Sequence, residues 1–346
     1  MEKQINKQLL KDTIEQLFAG NKGLLAMDES NQTCNKRFAA AGIPQTVEMR
    51  RSYRELIIKT TGLNESIGGA ILYDETIRQQ TKDGTVFTDL LLKAGIIPGI
   101  KVDMGAKPMA GFNDEKITEG LDGLRERLAE YKKMGARFAK WRAVITIGDG
   151  IPTTANIKAN IHALARYAAL CQEADIVPIV EPEVVMTGNH TLQRCYEITE
   201  HVLKLLFYQF YQFHIDLEGI ILKPNMVITG TECPMQNSVD EVAEATIRCL
   251  LASVPASVPA IAFLSGGQSP EEAAAHLNAM HTKFKDRLPW IVTFSFARAI
   301  QQPALDVWKG KEENVKEAQK LLYMRAKWDA TARLGNYNSE TENSSV

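Results

Sequence analysis

The amino-acid sequence predicts a (β/α)8 TIM barrel, eight parallel strands with surrounding helices, on three observations. Short apolar runs recur eight times, amphipathic segments long enough to be helices alternate with them, and the runs end in charged residues or a glycine turn. Buried apolar strands joined by helical crossovers imply a parallel sheet, and eight such units in one chain imply a closed barrel. A doubly wound open sheet is the alternative fold. With 346 residues, 45% of them hydrophobic and 24% charged, the chain can bury one large core, and barrels of this size run as one domain.

The elements follow in order. Leu10, Ile14, Leu17 and Phe18 repeat at helical spacing before Gly20, so an amphipathic helix with a glycine stop opens the chain. The apolar runs then cover residues 23–27, 69–73, 98–102, 138–144, 176–180, 219–222, 260–264 and 290–296. Between them, residues 154–173, 192–213 and 239–251 read as helices. Ser238 with Glu241, and Ser269 with Pro270 and Glu272, mark two helix starts. The aromatic cluster Phe207, Tyr208, Phe210, Tyr211 and Phe213 reads as helix packing, with a subunit contact as the weaker alternative. Residues 1–335 are expected to form one domain, and 336–346 a mobile polar tail too polar to pack.

Several functions are disfavoured. Forty Lys and Arg against 42 Asp and Glu give a net charge of -2, which offers no overall attraction to nucleic acid or to an anionic membrane. The first ten residues carry charges and amides where a secretory signal needs an apolar stretch, and no apolar run is long enough to span a bilayer. Five cysteines without a C-x-x-C pair suit reduced thiols and a cytoplasmic location. The six histidines show no H-x-H or H-E-x-x-H spacing, so no metal is expected, and no G-x-G-x-x-G follows a strand.

Barrel active sites occupy the carboxyl ends of the strands, so the residues that close each run are the candidates. They are Asp28, then Lys101 and Asp103, Lys140 and Arg142, Glu181 and Glu183, Lys223, the Ser265-Gly266-Gly267 turn, and Arg298. A charge at a strand end ordinarily marks emergence into solvent, and for any one of these residues that reading would stand. Spacing of two, however, puts both members of a pair on one strand face, and exposing the whole Lys140–Arg142 face would leave the barrel interior unfilled. Buried cations need partners, which Asp28, Asp103, Glu181 and Glu183 can supply. A lysine buried near another cation becomes a neutral nucleophile for a ketone, which is Schiff-base chemistry. Three lysines qualify. Lys223, followed by Pro224, has the most rigid setting, but these arguments do not rank it far above Lys140. The glycine turn and Arg298 suit a phosphate, and Lys36 and Arg37 with Lys101 and Arg142 could hold another; a solvated helix face is the plain alternative for Lys36-Arg37.

Seven segments, in order, resemble class I fructose-bisphosphate aldolase of the animal and plant type: Leu25-Ala26-Met27-Asp28-Glu29-Ser30, Gly68-Gly69-Ala70-Ile71-Leu72, Gly99-Ile100-Lys101-Val102-Asp103, Phe138-Ala139-Lys140-Trp141-Arg142, Ile179-Val180-Glu181-Pro182-Glu183, Leu222-Lys223-Pro224-Asn225-Met226 and Phe263-Leu264-Ser265-Gly266-Gly267-Gln268. The resemblance runs from about Leu17 to Gly335. It implies reversible cleavage of fructose 1,6-bisphosphate to dihydroxyacetone phosphate and glyceraldehyde 3-phosphate, without metal or cofactor, through a covalent Schiff base on Lys223. It further implies Glu181 as the acid/base of carbinolamine dehydration, Lys140 as a proton-transfer and charge-stabilising group, Asp28 as the base at the C4 hydroxyl, and Glu183 as orienting the lysines. One phosphate would lie on Ser265, Gly266, Gly267 and Arg298, the other near Ser30, Thr33, Arg37, Lys101 and Arg142. The family is usually tetrameric, so a homotetramer acting on phosphorylated sugars is expected. Another Schiff-base sugar-phosphate aldolase and a catalytically silent scaffold are the rival readings. The chain departs from the family pattern at Asn31-Gln32 and at Phe296-Ala297, where alanine resists a positive φ, and it ends in Val346 where vertebrate members end in tyrosine.

Overall fold

Eight apolar strands have no free edge when they close on each other, and the chain takes that solution. A computed structural model describes residues 5–338 and Glu342. The barrel strands are β1 (Gly23–Met27), β2 (Ile67–Leu72), β3 (Ile97–Lys101), β4 (Phe138–Ile145), β5 (Val177–Val184), β6 (Ile221–Leu222), β7 (Ala260–Phe263) and β8 (Ile291–Phe296). Each pairs in parallel with its sequence neighbours, and β8 pairs with β1 through Leu24 opposite Ser295, closing the ring.

The helices are α1 (Lys7–Leu17), α2 (Asn31–Ala40), α3 (Val47–Ile58), α4 (Asp74–Ile77), α5 (Phe87–Lys93), α6 (Leu124–Lys133), α7 (Thr154–Glu173), α8 (Leu192–Gln212), α9 (Val239–Ser253), α10 (Pro270–Phe284), α11 (Arg298–Trp308) and α12 (Val315–Ala332). Ser238 and Ser269 make the two expected capping boxes, satisfying orphan N–H groups at the starts of α9 and α10. On α8, Phe207 and Phe210 are buried, whereas Tyr208 and Tyr211 face solvent.

Two cores result. A large one fills the space between strands and helices, and a smaller one fills the lower lumen with Leu24, Ala26, Ile71, Phe138, Val177, Ile179, Ile221, Ala260 and Ala262. Helix α1 closes that lower end with Leu10, Ile14 and Leu17. Gly68 permits its seat, since a Cβ there would lie 1.8 Å from the Leu17 carbonyl oxygen. Gly99 makes room for the Phe138 ring, which a Cβ would approach to 2.1 Å. Strand residues alternate between faces, so the stripe that is apolar low in the lumen continues upward as Asp28, Lys101, Lys140, Arg142, Glu181, Glu183 and Lys223.

The structure corrects three expectations. Strand β5 continues to Val184, so Glu181 and Glu183 lie within it, while β6 is only two residues long, preceded by a 3-10 turn at Leu217–Gly219. A short antiparallel hairpin, Ala106–Pro108 with Lys116–Thr118, had no alternation strong enough to announce it; Asn156 and Asn160 of α7 hold it through the Lys116 carbonyl at 2.8 and 2.9 Å. The C-terminal segment was expected to pack nowhere, yet Tyr337 and Glu342 are buried. The Tyr337 hydroxyl donates to Glu342 at 2.6 Å, and Glu342 pairs with Arg325 of α12. An aromatic ring and a buried ion pair outweigh the polarity of the flanking residues. Residues 339–341 and 343–346 lie outside the described residues.

Candidate active site

The parallel register brings the chemistry together. Lys101 of β3 lies opposite Lys140 of β4, and Arg142 opposite Glu181 of β5. Val180 lies opposite Leu222, so the next residues along, Glu181 and Lys223, come level at the carboxyl end. The Lys223 amide donates to the Val180 carbonyl at 2.8 Å, and Asn225 ties the two strands again by accepting the Val184 N–H at 2.9 Å.

At the centre, Glu181 bridges two lysines. Its Oε2 lies 2.8 Å from Lys140 Nζ and its Oε1 lies 3.2 Å from Lys223 Nζ. Lys140 Nζ also donates to Asp28 Oδ2 at 3.0 Å. All four side chains are buried, so each charge must be answered by a neighbour. The two lysines resolve this differently. Burial pushes the Lys223 ammonium below its ordinary range, helped by the nearby Lys140 charge and opposed by Glu181 and Asp28. Burial also acts against Lys140, but Asp28, Glu181 and Asp103 outweigh it and hold that amine protonated well above its usual range. Burial would raise Asp28, yet Lys140, Lys223 and Lys101 bring it down to about 2. Glu181 is likewise lowered, burial being overcome by Lys140, Lys223 and Arg142. Lys140 and Lys223 are close in residue type and setting; the second carboxylate on Lys140 separates them.

Glu183 departs from expectation. Its carboxylate binds the Arg142 guanidinium, with no bond to either lysine. It lies two residues beyond Glu181 on the same face, too high in the barrel to share those amines. Lys101 donates to Asp103 Oδ1 at 2.5 Å, and Asp103 Oδ2 accepts the Arg142 N–H at 3.2 Å. The mouth is thus lined by Arg142 and Lys101, each steadied by an acid.

Two groups of residues expected to hold phosphate flank this centre. After β7, Gly266 and Gly267 take φ of 62° and 102°, conformations that favour glycine and leave the backbone uncovered beyond Ser265. Arg298, exposed at the start of α11, reaches this turn: a Cβ on Gly267 would lie 3.3 Å from its Nη2. The concern about Ala297 does not arise, because its φ is −110°. Across the mouth, Ser30 caps α2 by accepting the Thr33 N–H at 3.3 Å, and the two hydroxyls lie 3.1 Å apart. Asn31, in place of the family's usual residue, donates to Glu75 at 2.8 Å. Lys36 faces solvent, but Arg37 does not: it binds Glu29 and donates to Gln302 at 3.1 Å.

Glu29 and Arg54 join the site although residue type and spacing did not point to them. Glu29 takes Arg37 on one oxygen and Arg54 Nη2, at 2.9 Å, on the other. Arg54 is 2% exposed on α3. Its place four residues after Arg50 and three before Ile57, on the inward stripe of α3, was the available signal.

Among the described residues, no group of three or more His, Cys, Asp or Glu side chains is placed to hold a metal, and no helix is long and apolar enough to cross a membrane.

A (β/α)8 barrel whose mouth gathers two buried lysines on one carboxylate, with a glycine turn and arginines beside them, has the makings of an enzyme site. The family model for fructose-bisphosphate aldolase class-I matches residues 9–346. The probable fructose-bisphosphate aldolase class 1 of Xanthomonas campestris is 54% identical over 329 residues, covering 95% of this chain and 98% of that protein. The cytosolic fructose-bisphosphate aldolase 6 of Arabidopsis thaliana is 48% identical over 321 residues, covering 93% and 89%. Among solved structures, fructose-bisphosphate aldolase from Plasmodium falciparum, in complex with TRAP and a small-molecule inhibitor, superposes with a TM-score of 0.94 at 44% identity, covering 96% of each chain. The chain belongs to the class I fructose-bisphosphate aldolase family, whose reaction is the reversible, metal-independent cleavage of fructose 1,6-bisphosphate through a lysine Schiff base.

Proposed function

We propose that Lys223 is the lysine that forms the Schiff base, and the observation that carries this is the single carboxylate of Glu181 held between Lys223 and Lys140. The neutral Lys223 amine adds to the C2 ketone, and Glu181, a carboxylate at rest, takes the proton that the amine sheds. It passes that proton to the C2 oxygen, giving the carbinolamine, and a second proton, taken up from water and delivered by Glu181, lets the C2 hydroxyl depart as water and leaves the iminium. Asp28 then removes the C4 hydroxyl proton, the C3–C4 bond breaks, and its electron pair flows into the iminium as glyceraldehyde 3-phosphate departs. Lys140 stays cationic throughout and stabilises the charge that moves between Asp28 and Glu181. Protonation of the enamine at C3 and hydrolysis of the imine return dihydroxyacetone phosphate and free Lys223.

The C1 phosphate rests on Ser265, Gly266, Gly267 and Arg298, and the C6 phosphate lies near Ser30, Thr33, Arg37, Lys101 and Arg142. Glu183 acts on Arg142 rather than on the lysines. Two separated cationic groups favour a bisphosphate over a substrate with one phosphate. The reaction needs no metal or other cofactor. We place the chain in the cytoplasm, which suits its five free thiols, as a homotetramer, to be checked by light scattering. The experiment is borohydride reduction in the presence of dihydroxyacetone phosphate followed by peptide mapping. The triose is expected on Lys223; an adduct on Lys101 or Lys140 would overturn the assignment.

A further inference from the structure

A buried carboxylate that takes two arginines leaves one positive charge unanswered, and Glu29 is in that position. Its neighbours on the chain are Asp28, held at Lys140, and Ser30, the cap of α2. Glu29 Oε1 takes Arg37, Oε2 takes Arg54 Nη2 at 2.9 Å, and its carbonyl lies 3.4 Å from the same nitrogen. The adjoining pair gives no further compensation, because Arg50 is already closed on Glu75 by bonds of 2.8 and 2.7 Å. Arg37 Nε and Arg54 Nη1 have no hydrogen-bond partner among the described residues.

We infer that Arg54 is a positioning residue for the aldol reaction: by neutralising Glu29 from beneath, it leaves Arg37 charged and available to the substrate's C6 phosphate. The inference rests on the proposed placement of that phosphate. Without Arg54, Glu29 turns wholly to Arg37 and cancels it, and the mouth loses one positive charge on that side. Arg54 touches no substrate atom, so its effect should fall on the bisphosphate alone and not on fructose 1-phosphate, which lacks the C6 group.

The test is steady-state kinetics of Arg54→Met, Glu29→Gln/Arg54→Met and Arg37→Ala on both substrates. Arg54→Met should lower kcat/KM for fructose 1,6-bisphosphate by about tenfold or more through KM, as for loss of a charge-assisted contact, while fructose 1-phosphate changes by less than about threefold. Removing Glu29 as well frees Arg37, so the double variant should recover the bisphosphate KM. If Arg54→Met is too unstable to assay, the same recovery is read by comparing the double variant with the native enzyme and with Arg54→Lys, which keeps the charge. Equal losses on both substrates, or a double variant no better than Arg54→Met, would overturn the inference. Should Arg37→Ala spare the bisphosphate preference, the phosphate placement itself fails; should Arg37→Ala abolish it while Arg54→Met does not, only the role of Arg54 fails.

Discussion

Replacing Lys140 by methionine keeps most of the buried stem and removes the charge, which isolates what that cation does to its neighbour. Lys140 and Lys223 lie on opposite oxygens of Glu181, at 2.8 and 3.2 Å. Two like charges held on the two oxygens of one carboxylate repel, and at an effective dielectric of about 20 that repulsion is on the order of a few kcal/mol. Lys140→Met removes this repulsion and strands Asp28 and Glu181 without their cation, so both changes push the Lys223 ammonium upward. Below its pKa the amine is protonated and cannot attack. Imine formation near neutrality should therefore slow by up to about a hundredfold. The assay is the rate of borohydride trapping with dihydroxyacetone phosphate over roughly pH 6 to 10, where the midpoint should move up in Lys140→Met and stay near its native value in Lys140→Arg. An unchanged midpoint in Lys140→Met would refute the claim that Lys140 keeps Lys223 neutral.

Glu181→Gln keeps the bridge shape but cannot carry a proton, so kcat should drop by roughly 10²-fold or more, and a near-native kcat would move the acid/base elsewhere. Arg298→Ala should raise KM for fructose 1,6-bisphosphate and fructose 1-phosphate alike, by about tenfold or more, because both carry the C1 phosphate; an effect on only one of them contradicts that placement. Cleavage should persist after dialysis against EDTA, and activity restored by added zinc would count against an imine route. Asp329 is fully buried, its carboxyl oxygens make no hydrogen bond with any described group, and burial raises it to about 7, with Arg325 at 3.5 Å opposing and Glu271 adding to the rise. Its folded pKa exceeds the unfolded value, so its contribution to stability is full below about pH 4 and fades as the pH rises through about 7. Asp329→Asn should therefore gain Tm relative to the native chain at about pH 8 more than at about pH 5, and an equal difference at both would show that Asp329 does not titrate between them.

The barrel was legible in the sequence because strand burial and helix amphipathicity are periodic, and periodicity survives without knowledge of neighbours. The same alternation put Lys140 with Arg142 and Glu181 with Glu183 on one face each, and the order of motifs was enough to name the family. The partners of those residues could not be read this way. Glu181 meets two lysines because parallel register sets it level with Lys223, and Glu183, one step higher, meets Arg142 instead. Glu29 meets Arg54 across 25 positions of chain, and Tyr337 finds Glu342 beside Arg325 in a stretch whose composition argues against packing. Sequence by itself determined which side chains face the lumen and the chemical kinds available there. Only the closed barrel decided which charge answers which, because Coulomb and burial energies depend on distances across strands that the linear order does not contain.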